Sequence, residues 1–253
     1  MDGLGLALEG GVLRVTFDRP DRLNSLTAEL IHAAAAAVES AHADGARVIV
    51  LTGTGRAFSS GADVGPDGSP PGLDTLEAAN RFVRAVTSSP VVVLAAVNGI
   101  AAGVGCSFAL AADLAVAKES AAFMLAFTKI GLMPDGGASL LVPASVGRAR
   151  AARMALLAEK VDARTAADWG LIAFVTPDDE FDTTVADLVG RLAAGAPMAL
   201  AATKKVINAV TLPLLEATLD HERDGQGALL ASADFQEGMA AFQQKRAAVF
   251  SGS

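Results

Sequence analysis

The stretch PVVVLAAVNGIAAGVGCSFALAAD, residues 90–113, carries the strongest structural signal in the chain. Its first part, VVVLAAV (91–97), is an unbroken apolar run, the pattern of a strand covered on both faces. A small-residue turn follows and feeds a helix-like segment. Asn98, the glycines at 99, 103 and 105, and Asp113 break the apolar window, so it reads as buried strand and helix and not as a membrane span. Working outward, RVIVLT (47–52) repeats the continuous apolar pattern. VLRVTF (12–17) alternates apolar and polar residues as a half-buried strand does, and ADLAVA (112–117) is a weaker strand candidate. Helical patterns lie between them at 27–43, with Thr27 placed to cap, and at 73–87. Strand–helix alternation of this kind predicts a parallel sheet with right-handed crossovers.

After residue 135 the character changes. Helices are expected at 137–146, 149–157, 163–169 (Asp162 as cap, Gly170 as stop), 180–194, 197–210, 213–230 and 232–246. GPDGSPPG (65–72) reads as a surface loop.

With 253 residues, 52% of them hydrophobic, the chain suffices for one large domain with a sizeable core. A net charge of −8 argues against nucleic-acid binding, which needs clustered Lys and Arg. The single cysteine, Cys106, precludes an intramolecular disulfide and a Cys-rich metal site. His32, His42 and His221 have no ligand spacing, so no metal is expected. The N-terminus shows no signal-peptide pattern, and the cytoplasm is the expected location.

Two turns follow predicted parallel strands: FSSGAD (58–63) and NGIAAGVGCS (98–107). Ligands of such sheets bind at the carboxyl ends of the strands. Side by side, the turns would offer two backbone N–H donors to one oxygen, the geometry of an oxyanion hole. Equally, they are tight turns that serve packing. Three commoner motifs fit poorly. Phe108 stands where a dinucleotide fingerprint needs its third glycine, and no Gly-Lys-Ser/Thr is present for a phosphate loop. GCSFA (105–109) approaches a nucleophile elbow, but the only later histidine for Ser107 is His221, in charged, helical-looking sequence. Asp135, between Pro134 and two glycines in FMLAFTKIGLMPDGG (123–137), suits a turn for local reasons and also suits an acid–base role.

Taken together, these residues resemble the crotonase (enoyl-CoA hydratase/isomerase) superfamily. FDRPDRLNSL (17–26), VIVLTGTGRAFSSGAD (48–63), the stretch 90–113, and LMPDGGAS (132–139) occur in the family's order and spacing. AAFQQKRAAVF (240–250) resembles the C-terminal signature, with Ala248 in place of the usual proline. The resemblance implies an α/β fold: a crotonase-like (ββα)n spiral core, taken as residues 1–195. It also implies a C-terminal helical region, 196–253, that covers the pocket and joins subunits into a trimer or a dimer of trimers.

It implies an acyl-CoA substrate, with coenzyme A as part of that substrate and no further cofactor. Carried over by position, the oxyanion donors are the amides of Ala62 and Val104, the latter in place of a glycine common in hydratases. Substrate contacts fall on Arg22, Leu26, Ser60, Gly61, Asp63, Val64, Phe123 and Phe127. Hydratases of the superfamily use two glutamates, one at the position of Ser107 and one in the next strand, at the position of Phe127. Neither residue here is a carboxylate. Several isomerases instead carry an aspartate at the position of Asp135, and MLAFTKIGLMPD (124–135) looks closest to ring-1,2-epoxyphenylacetyl-CoA isomerases. A double-bond shift needs one base, and desolvation by Phe123, Met124, Phe127 and Met133 would raise its pKa into a useful range. The alternatives are an enoyl-CoA hydratase using unusual groups, a non-catalytic acyl-CoA binder, and a serine hydrolase through Ser107.

Overall fold

A computed structural model describes residues 2–64 and 70–253. Residues 65–69 of the expected surface loop lie outside the described residues.

The chain opens with an antiparallel hairpin, β1 (Leu4–Glu9) and β2 (Val12–Phe17). From there a unit repeats: a strand in a large sheet, a strand in a small sheet, then a helix. The first unit is β3 (Val48–Gly53), β4 (Ala57–Ser59) and α2 (Leu73–Ser88), preceded by α1 (Ala28–Ser40). The second is β5 (Val92–Val97), β6 (Ile100–Ala102) and α3 (Val104–Ala111). The third is β7 (Leu114–Lys118) and β8 (Ala122–Met124), a 3-10 turn Ala126–Ile130, and α4 (Ala138–Leu156). Short strands β9 (Val161–Asp162) and β10 (Phe174–Thr176) flank α5 (Ala163–Trp169). Helices α6 (Phe181–Ala194), α7 (Pro197–Thr211), α8 (Leu215–Leu230) and α9 (Ala233–Gln244) complete the chain.

The large sheet has the order β1-β2-β3-β5-β7-β10, parallel from β2 onward, and the small sheet runs β4-β6-β8-β9. The three central strands were expected at 12–17, 47–52 and 91–97, and their parallel arrangement is observed. Both faces of the large sheet are covered, which is why these strands read as continuous apolar runs. On one face Val48, Val50, Leu94, Ala96 and Val116 meet Phe181, Val185, Leu188 and Val189 of α6. On the other, Ile49, Leu51, Val93, Ala95 and Val97 join the main core with α1, α2 and α3.

Local capping explains several boundaries. Thr27 accepts from the Leu30 amide at the start of α1, and Asp162 from the Thr165 amide at the start of α5. Gly170 ends α5 in the left-handed region. The helices expected at 137–146 and 149–157 are two helical segments of α4, separated at Gly147, whose backbone (φ 76°, ψ 165°) is not helical. The strands β1, β4, β6, β8, β9 and β10 were not anticipated. Most are two or three residues long, too short for periodicity to register. No single helix among the described residues is long and apolar enough to cross a membrane.

Helix α7 is tethered by a buried cation. Lys204 is its only buried residue; its ammonium lies 2.8 Å from Asp113 Oδ2 and donates to the carbonyls of Val86 (2.8 Å) and Val91 (3.1 Å). Burial lowers the Lys204 pKa, and Asp113 opposes this.

The N-terminus of α3 rests directly on β4. A Cβ on Gly105 would lie 2.7 Å from Ser59 Cβ and 2.9 Å from its carbonyl oxygen. Gly105→Ala is therefore expected to destabilise the fold by about 1–3 kcal/mol, the usual cost of overpacking. The check is a lowered urea midpoint at an unchanged m-value.

Candidate active site

The two turns singled out in the sequence meet. Gly61 (φ +100°) and Gly103 (φ +53°) both adopt backbone conformations that side chains disfavour. A Cβ on Gly61 would come 3.0 Å from the Ala102 carbonyl oxygen, and one on Gly103 would lie 3.7 Å from Gly61 Cα. The residues that follow, Ala62 and Val104, both line one cavity.

Their amides are left over by the local hydrogen bonding. Leu26 N donates to Gly61 O and Asp63 N donates to Leu26 O, each at 2.9 Å, so the bridge to Leu26 uses the groups on either side of the Ala62 amide. Val104 is the first residue of α3, where helical amides lack an intrahelical acceptor. Neither amide donates to another described residue. The N-terminal segment braces this turn. Asp63 accepts from Arg19 (2.9 Å) and Ser25 Oγ (2.7 Å), and Arg22 stands 3.6 Å away. Asn24, buried, donates to the carbonyls of Thr54 (2.9 Å) and Ala57 (2.7 Å).

The cavity has a volume of about 230 Å³. Of the residues expected at the site, Ser60, Gly61, Ala62, Val64, Val104, Phe127 and Asp135 line it. Four do not. Phe123 is fully buried in the core, because Met124 takes the cavity-facing position and neighbouring strand residues point to opposite faces. Leu26 is buried too, and its part is the backbone bridge to Ala62. Asp63 is committed to Arg19 and Ser25, and Arg22 lies on the outer side of that cluster with a largely exposed side chain. Met133, expected in the apolar wall, packs instead against Gly225 of α8. Phe127 falls in the 3-10 turn after β8, not in a strand.

Among the described residues, Asp135 is the acidic group that lines the cavity. Its Oδ2 accepts from Gln226 Nε2 at 2.8 Å, while Oδ1 is buried without a hydrogen-bond partner. Burial pushes its carboxyl up to about 7; the Gln226 hydrogen bond opposes this and the nearby Glu222 charge adds to it. Ser107, fully buried, donates its hydroxyl hydrogen to the Asp135 main-chain carbonyl at 2.8 Å. His221, the only later histidine, is exposed on α8, whereas Ser107 is fully buried. Burial raises the Cys106 thiol to about 12, which makes it inert. Among the described residues no cluster of His, Cys, Asp and Glu could hold a metal ion.

The C-terminal helices reach the same cavity through Gln226, Leu230, Met239 and Phe242. Gln226 and its neighbour one turn back, Glu222, were missed in the sequence. Their only signal is an i, i+4 polar pair within DHERDGQG (220–227), which resembles a solvated face. Both side chains are in fact buried.

The enoyl-CoA hydratase/isomerase family matches residues 7–253, and the chain belongs to that family. It is 48% identical over 247 residues to a probable enoyl-CoA hydratase of Rhodobacter capsulatus, covering 96% of this chain and 95% of the relative. It is 39% identical to the 1,2-epoxyphenylacetyl-CoA isomerase of Escherichia coli, covering 97% of each. A crystal structure of an enoyl-CoA hydratase from Mycobacterium avium subsp. paratuberculosis superimposes with a TM-score of 0.91 at 51% identity, covering 95% of this chain and 99% of that one. The fold is thus the crotonase fold, and the protein is an acyl-CoA-processing member of the family.

A carboxyl raised from its ordinary value is more readily protonated in the folded chain than in the unfolded one. Stability is therefore lost as pH rises from about 4 to about 7, and remains lost above. Asp135→Asn abolishes that loss. The variant should gain melting temperature over the parent at pH 8 by clearly more than at pH 5. The comparison is made between pH values because the unpartnered amide of asparagine costs the same at both.

Proposed function

We propose that the protein isomerises an acyl-CoA thioester, shifting a double bond or rearranging a ring epoxide, with Asp135 as the acid–base group. The observation that carries this reading is a buried carboxyl, poised near neutral pH, in an apolar cavity beside two amides that donate to no other described residue. The thioester oxygen sits between the Ala62 and Val104 amides. Proton removal beside the thioester places negative charge on that oxygen, and two preorganised donors stabilise the enolate more than the neutral ground state. Asp135 takes the proton at one carbon and returns it at another.

Hydration, by contrast, needs one group to activate water and another to deliver a proton. Ser107 is committed to a main-chain carbonyl, and Phe127 is a hydrocarbon. The likeness to the E. coli isomerase supports a substrate of the 1,2-epoxyphenylacetyl-CoA kind, whereas the R. capsulatus relative carries the hydratase name. In this reading coenzyme A arrives as part of the substrate, no other cofactor takes part, and the enzyme acts in the cytoplasm. Residues 196–253 close the pocket and join subunits into a trimer or a dimer of trimers. The exposed apolar side chains of Met198, Val206, Ile207 and Val210 on α7 support such an assembly.

The test is incubation with 3-enoyl-, 2-enoyl- and ring-epoxide CoA thioesters. Product of unchanged mass with a shifted ultraviolet spectrum supports isomerisation, and a gain of one water refutes it. Asp135→Asn should lower the isomerisation rate about 10²–10⁴-fold with little change in acyl-CoA affinity. Ser107→Ala should stay within about tenfold of the parent, since a serine nucleophile would instead lose nearly all activity. Because the base form is required, the rate should climb with pH through about 7 and then level off.

A further inference from the structure

Helix α8 does more than cover the cavity. Its residues Glu222 and Gln226 lie on one face and grip successive parts of the 133–139 turn. Glu222 accepts from Gly137 N (2.7 Å) and Ser139 N (2.9 Å), satisfying amides at the start of α4. Gln226 Oε1 accepts from Met133 N (3.1 Å), and its Nε2 donates to Asp135 Oδ2 (2.8 Å). Gly225 packs against the Met133 side chain, whose Sδ would have to turn aside for a Cβ at that position.

We infer that Gln226 and Glu222 are positioning residues that leave Oδ1 of Asp135 as the atom that carries the proton. The Met133 N–H is a donor and can only be met by the amide oxygen of Gln226. The other end of that amide is then a donor in every state, aimed at Oδ2. An oxygen that permanently accepts from an N–H is a poor place for a proton. Oδ1, with no partner, takes it. In the reaction the substrate C–H bond breaks, its electron pair passes into the enolate, and the proton moves to Oδ1. The reverse transfer at the second carbon returns it. Among the described residues, the charged groups around the carboxyl are Glu222 from α8 and, elsewhere on the cavity wall, Lys129 from the 3-10 turn. Glu222, a like charge, disfavours the Asp135 carboxylate, while Gln226 favours it.

The catalytic consequence rests on the isomerase reading; the positioning itself does not. Two variants separate the effects: Gln226→Met, which removes the donor, and Glu222→Gln, which removes the charge. The pH midpoint of the isomerisation rate should move upward by about one unit in Gln226→Met, and downward in Glu222→Gln. In Gln226→Met the loss should fall on kcat more than on KM. A structural role alone would lower stability in both with no opposed shift. The same midpoint is read without any substrate, by adding Asp135→Asn to each background and following with pH the stability change that it causes. Opposed shifts there, with no isomerisation by any protein, would uphold the positioning and remove the isomerase reading. Unmoved midpoints in both measurements would overturn the inference.

Discussion

The whole site depends on the contact between two glycine turns, one after β4 and one after β6. Gly61 and Gly103 lie backbone to backbone, and a side chain on Gly61 would press on the Ala102 carbonyl. That contact brings together the amides of Ala62 and Val104, which come from separate repeats of the fold. It also sets where α3 begins, and hence where the positive end of its dipole points. The rest of the architecture serves this closeness. Strands β4 and β6 pair in the small sheet, and the 17–26 segment pins the first turn from outside through Leu26, Ser25, Asn24 and Arg19.

A second constraint is the burial of a carboxyl with one oxygen unpaired. An unsatisfied buried acceptor costs the fold free energy, and near-neutral titration is what that cost provides. The chain contains it by tying the turn from both sides. Ser107 of α3 holds the Asp135 carbonyl, and α8 holds its carboxylate and the flanking amides. A residue in a Pro-Asp-Gly turn is thereby fixed in place.

Much of the frame was legible because long, doubly covered strands and capped helices announce themselves. The runs at 48–53 and 92–97 are apolar on both faces since both faces are covered, and Thr27, Asp162 and Gly170 act where they stand in the chain. The small sheet was not legible. Strands of two or three residues have no period, and they exist only because neighbouring repeats place their backbones side by side.

The site divides in the same way. Sequence alone identified the two turns and the acidic residue after Pro134, because each is a matter of residue type and local order, while the resemblance to the family gave the lack of carboxylates at positions 107 and 127 its meaning. Only the tertiary structure decided which side chains face the cavity. It turned Phe123 into the core and Met124 outward through the alternation of β8, and it bound Asp63 into an ion pair away from the pocket. It alone brought Glu222 onto Gly137 and Gln226 onto Asp135, across 85 and 91 residues of chain. A polar pair on a helix looks the same in sequence whether it meets water or a buried turn. What distinguishes the two cases is which surface the helix is packed against.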